Sequence, residues 1–208
     1  METEPLPAFK LANCFARMTL KAYQQEIGVN GLNVLLNFAE LYQMVDNLPL
    51  NNNEHEISFQ HYSGILGALI AIYGVRTANN FSFRAGQRMY SNDLHRYGAL
   101  GGLASSEFHR LMPDQRIDLS LHALIRVLNL LSNQNGVVRK RQGRWYIVVH
   151  NCPVCWGQST EVAVCELTRG VISAVLEEAA IEIPCLVEQT QSHSAGDKAC
   201  LFVISPKN

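Results

Sequence analysis

No run of apolar residues in this chain is long enough to cross a bilayer. The most apolar window, residues 64–75, is about a dozen residues, where a membrane-spanning helix needs roughly 20. The N-terminus, METEPLPAF, lacks the basic-then-apolar layout of a secretory leader, so a cytoplasmic location is expected. Charge is scarce as well, at 17% Asp, Glu, Lys and Arg with a formal net charge of -1 and no long cationic run, which argues against nucleic acid as the partner. The one local basic cluster, Arg139, Lys140, Arg141 and Arg144, falls where a hairpin turn is expected and reads as a solvated turn.

Catalytic grammar is also missing. No G-x-G-x-x-G follows a strand, no comparable loop cradles a phosphate, and no Ser/His/Asp set or acid–base pair stands out. The histidines His55, His61, His95, His109 and His122 show no H-x-x-x-H spacing and read as surface or satisfied polar residues. No helix-turn-helix or ATPase motif is present, so any signal must pass to a partner.

What the chain does have is a large apolar fraction, 48% of 208 residues, enough for one good-sized domain spanning residues 1–208. Its first part, residues 1–133, is mainly helical. Helical spacing marks residues 11–27, interrupted by glycines 28 and 31, then residues 32–45. The asparagine-rich stretch 48–56 is a loop, and Ser58 is placed to cap a helix that Gly74 ends. Further helices are expected over 78–97 and 114–133, the latter with the stripe Ile117, Leu121, Leu124, Ile125, Leu128 and Leu131.

The pattern then changes. Residues 137–141 and 144–150 form a hairpin about Gln142 and Gly143, residues 162–179 a helix, and 181–191 and 200–205 two more strands. Gly170 inside that helix implies close packing against a neighbour. The fold class is therefore α+β: a helical half, then an antiparallel ββαββ core over 137–205 packed by helices.

Chemistry concentrates in this last part. Cys152-Pro153-Val154-Cys155 has the C-x-x-C spacing that grips a metal or exchanges as a redox pair, but no helix follows directly and no second C-x-x-C exists. Packing is the expectation for these two thiols. A wider set is Cys165, Glu188 and Cys200. A hairpin symmetric about Ser194 would place Glu188 opposite Cys200, with His193 or Gln191 free to complete a tetrahedral site.

The stretches NCPVCWGQSTEVAVCELTRGVISAVLEE and VEQTQSHSAGDKACLFVI resemble the 4-vinyl reductase domain family, through Cys165, Gly170, Glu188, Gly196, Asp197 and Cys200. The resemblance implies a twisted antiparallel sheet packed by helices, the fold of the ligand-binding domains of haem-based nitric oxide sensors and of TRAPP vesicle-tethering subunits, often dimeric. It also implies a structural zinc on Cys165, Glu188 and Cys200. Gln191 stands where the aromatic sensors carry a further cysteine, and an amide oxygen is a poorer zinc ligand than a thiolate, so His193 is expected to substitute.

The function this supports is non-enzymatic binding of a small apolar or aromatic molecule between sheet and helices, lined by Trp145, Tyr146, Trp156 and Phe202. Two alternatives stand beside it: a part in (bacterio)chlorophyll vinyl reduction, with a tetrapyrrole as ligand, and a homodimeric assembly module.

Overall fold

The computed structural model describes residues 9–179 and 182–207. The first eight of the N-terminal residues used above to argue against a leader, and the expected strand start at Ile181, lie outside them.

A short strand, β1 (Lys10–Ala12), leads into α1 (Asn13–Phe38), which is two helices joined at Gly28, where φ of +75° breaks the helical path. Glycine tolerates that conformation without a Cβ penalty. The asparagine-rich loop has a purpose: the N–H groups of Asn13 and Cys14 donate to the carbonyls of Glu54 and Asn52, satisfying donors that the start of a helix leaves free. The loop ends in β2 (His55–Ser58), antiparallel to β1.

Ser58 caps α2 (Phe59–Tyr73), its side chain accepting from the His61 N–H, and Gly74 at φ +75° ends it as expected. Helix α3 runs Val75–Asn92, shorter at its C-terminal end than the spacing predicts, because the chain leaves helical geometry at Asp93 (φ -131°). A one-turn helix α4 (Ser106–His109) precedes α5 (Pro113–Leu131). Proline at the first position of α5 gives up an N–H that would have no partner there. All six residues of the α5 stripe are buried.

The second part is ββαββ. Strands β3 (Gly136–Arg141) and β4 (Arg144–Val149) form the expected hairpin, with Gln142 and Gly143 both at positive φ, the geometry of a tight turn between twisted strands. Helix α6 (Glu166–Ala179) follows, then β5 (Cys185–Gln191) and β6 (Cys200–Pro206), giving one antiparallel sheet in the order β3-β4-β6-β5. Its inner face carries Trp145, Ile147, Val149, Val187, Cys200, Phe202 and Ile204, all buried. Trp145 is fully covered and donates its indole N–H to Asp118 Oδ1 at 2.9 Å, tying sheet to α5. A Trp145→Phe variant is expected to lose about 1–2 kcal/mol in urea denaturation, since it leaves the Asp118 carboxylate without that donor.

Helix α6 begins four residues later than the apolar spacing suggests. Thr160 N–H donates to the Ser194 carbonyl and Cys165 N–H to the Gln189 side chain, which holds the preceding segment against the β5–β6 connection. Its close packing falls at Gly170, whose backbone lies against the Phe83 carbonyl of α3; reciprocally, Gly86 of α3 lies against the Leu167 carbonyl of α6. The two helices cross with glycine facing backbone on both sides.

A candidate metal centre of four cysteines

Cys152 and Cys155 lie in the turn after β4, Cys165 immediately before α6, and Cys200 opens β6. The sequence separates them widely, and the fold brings all four together. Their sulfurs lie within 4.8 Å of one another, with Cys152–Cys165 and Cys155–Cys200 at 3.5 Å and Cys165–Cys200 at 3.6 Å. Zn–S bonds of about 2.3 Å arranged tetrahedrally put sulfurs about 3.8 Å apart. All four side chains are buried and none is in a disulfide.

The turn is built for this. Gly157 adopts φ +69° two residues after Cys155, a conformation that glycine takes without a Cβ penalty, and the turn it closes holds both thiols in the cluster. Ser63 of α2 donates to the Trp156 carbonyl at 2.6 Å, and the Gln158 amide donates to the Ser63 carbonyl at 3.3 Å, fastening the turn to the helical half. On the other side Thr160 reaches Ser194 through both backbone and side chain.

The four thiols hold their protons unequally: Cys155 is drawn down, while Cys152 and Cys165 are pushed up. Hydrogen bonds from Cys152, and then from Cys165 and Cys200, hold the Cys155 thiol far below its ordinary range, with the Ser194 backbone adding to them. The bond to Cys155 in turn pushes Cys152 up. The His193 N–H donates to the Cys200 sulfur at 3.4 Å. Backbone donors of this kind around buried sulfur stabilise negative charge there, as they do around metal-bound thiolates.

Of the residues the sequence nominates, Cys165 and Cys200 meet, and Glu188 and His193 do not join them. Glu188 opposes Val203, three residues beyond Cys200 along β6. An odd displacement turns a strand's side chains over, so Glu188 is exposed on the outer face while Cys200 is buried on the inner one. His193 contributes its backbone, and its ring stacks on Trp156 with centroids 5.7 Å apart. The cluster is completed instead by Cys152 and Cys155, for which the lone C-x-x-C suggests only packing. The signal was the glycine two residues after the second cysteine, which makes C-P-V-C-W-G a turn able to present both sulfurs.

The four expected ligand-lining aromatics are dispersed. Trp145 and Phe202 are fully buried on the inner face, Tyr146 is on the outer face, and Trp156 packs edge-on against Phe9 and Phe59. They line no common cavity among the described residues; where α3 and α6 meet β5 an open cleft of about 450 Å³ is bordered by Phe83, Gln87, Leu176, Cys185 and Val187. Two voids of about 10 Å³ each lie instead among the helices. One is lined by Thr19, Tyr62 and Leu66, the other by Phe15, Met89 and Leu128, and Val154 and Leu167 line both.

No family model and no curated protein matches this sequence. Solved structures do. An H-NOX protein from S. oneidensis, in its Fe(II)NO ligation state, superposes at a TM-score of 0.57 and 9% identity over 95% of this chain and 100% of that one. Trafficking protein particle complex subunit 3 from Naegleria fowleri, covalently bound to palmitic acid, superposes at 0.50 and 18% identity over 72% and 93%. A vinyl-4-reductase family protein from Methanocaldococcus jannaschii aligns over 66% and 98% at 15% identity, but its TM-score of 0.35 carries no argument. At these identities the likeness shows the fold alone: this chain shares the α+β fold of H-NOX proteins and of the trafficking subunit. Among the described residues no helix is long and apolar enough to cross a membrane.

Proposed function

We propose that this chain is a non-enzymatic binding domain of the 4-vinyl reductase type, in which one zinc ion held by Cys152, Cys155, Cys165 and Cys200 fixes the wall of an internal site for a small apolar or aromatic molecule. One observation carries the reading. The segment that supplies Cys152 and Cys155 also supplies Pro153 and Val154 to the lining of the voids, and Leu167 follows Cys165 by two residues. The ion would act structurally, joining the turn, α6 and β6. Four protein thiolates leave no open coordination position, the condition of a structural rather than catalytic zinc.

At about 10 Å³ the voids are of single-water size, whereas sites for drug-sized molecules run to about 300–1,000 Å³. A ligand therefore enters by displacing Val154 and Leu167. Phe15, Met89, Leu128 and Val171 give it apolar walls, and Tyr62, whose hydroxyl shares a 2.8 Å hydrogen bond with Thr19, a polar point. A tetrapyrrole demands the largest opening and would show itself by its absorbance. Dimerisation draws on a separate feature: Val34, Phe38 and Tyr42 are exposed at four-residue spacing.

Native mass spectrometry of the freshly purified protein, repeated after denaturation, reads metal, retained molecules and subunit number together. One zinc per chain is expected. Cys165→Ser loses it, while Glu188→Gln and His193→Ala keep it. Loss of zinc in Glu188→Gln with retention in Cys152→Ser would instead restore the ligand set of Cys165, Glu188, His193 and Cys200. A protein free of metal in its folded form would return the cysteines to packing.

A further inference from the structure

The basic cluster of the β3–β4 hairpin is divided by strand alternation between two faces. Lys140 opposes Trp145 and turns inward, over its ring and onto Asp114. Arg139 opposes Tyr146, and Arg141 opposes Arg144, so three arginines belong to the outer face. Among the described residues none of the three has an acidic partner. Like charges set directly across a strand pair destabilise it, and Arg141 and Arg144 are so placed. The acid in the same cross-strand row, Glu188 in the series Arg139, Tyr146, Val203, Glu188, is three strands away, about 14 Å at the usual spacing of about 4.8 Å.

Beside these arginines the sheet is apolar. Tyr146, Val148 and Leu201, with Arg139, Arg141 and Gln142, line an open groove of about 700 Å³. An apolar floor with a cationic rim fits a molecule of matching polarity. A planar carboxylate also suits guanidinium groups, which bind it through paired hydrogen bonds.

We propose that the outer face of the sheet is a binding site for a small amphipathic carboxylate, its apolar body over Tyr146, Val148 and Leu201 and its head on Arg139 and Arg141. The site is separate from the internal voids and from the cysteine cluster, and it stands whether or not these are occupied.

The test is a titration of methyl-labelled full-length protein, followed by NMR, with decanoate below its micelle concentration, decanol, inorganic phosphate, and vesicles of anionic lipid. Decanoate is expected to shift the Val148 and Leu201 methyls and to bind at least about tenfold more tightly than decanol, the order of a charge-assisted contact. The double substitution Arg139→Gln with Arg141→Gln abolishes that preference. Should the double variant fail to fold, Arg141→Gln alone, which removes the opposition to Arg144, carries the same expectation with a smaller loss. Equal binding of decanol overturns the proposal, as does phosphate matching decanoate, or binding to vesicles without binding to monomeric decanoate. Decanoate shifts confined to Val154 and Leu167 also overturn it, and would leave the internal-site reading in place.

Discussion

Cys200→Ser is expected to purify without zinc and to unfold at a temperature on the order of 10 °C below the parent. With free zinc at a thousandfold its dissociation constant, an ion bound only by the folded state contributes about 4 kcal/mol, and a domain of this size shifts by about 2–4 °C per kcal/mol. Cys200 is fully buried at the start of a central strand, so serine there leaves a hydroxyl among three sulfurs and severs the link between β6 and the turn. Calorimetry with and without a chelator checks it. A chelator should lower the parent to the level of the variant and leave the variant unmoved. Acid should act like the chelator, because each thiol must shed its proton to bind the ion.

Gly170→Ala is the second large effect. A Cβ on Gly170 overlaps the Phe83 carbonyl oxygen and comes within 2.9 Å of its carbon, and one on Gly86 overlaps the Leu167 carbonyl and comes within 2.9 Å of the Val171 nitrogen. These obstacles are backbone, which yields only if a whole helix moves. Each substitution is expected to cost about 3 kcal/mol or more, at or above the upper end for overpacking. The two sit at one crossing, so the double variant should lose less than the sum of the singles, the first having already separated α3 from α6. Urea denaturation of all three proteins measures this. Because Cys165 immediately precedes α6, the single variants should also bind zinc more weakly, a readout that a remote destabilisation would not move.

Much of this architecture was legible in sequence, for identifiable reasons. The β3–β4 hairpin could be read because Gln142 and Gly143 supply the positive φ its turn demands, and the Gly170 contact because a glycine inside a good helix needs a cause. The β5–β6 register could not be read. A hairpin centred on Ser194 ignores the irregularity between Gln189 and Gln191 and the helical turn at His193–Ala195 that lengthens the connection. Three residues of displacement put Glu188 and Cys200 on opposite faces, which changes the residues that can gather around Cys165. The late start of α6 was hidden likewise, since bonds to Ser194 and Gln189 come from residues remote in sequence.

The short turn between Cys152 and Cys155 serves two groups of residues at once, its sulfurs the cluster and its Pro153 and Val154 the internal lining. On the proposed reading, an occupant of the interior that moves Val154 would alter the grip on the ion, and reciprocity would then require the ion to alter that occupant's affinity by the same factor. Metal and small molecule would each set the other's affinity, so the occupancy of neither site would follow its own concentration alone.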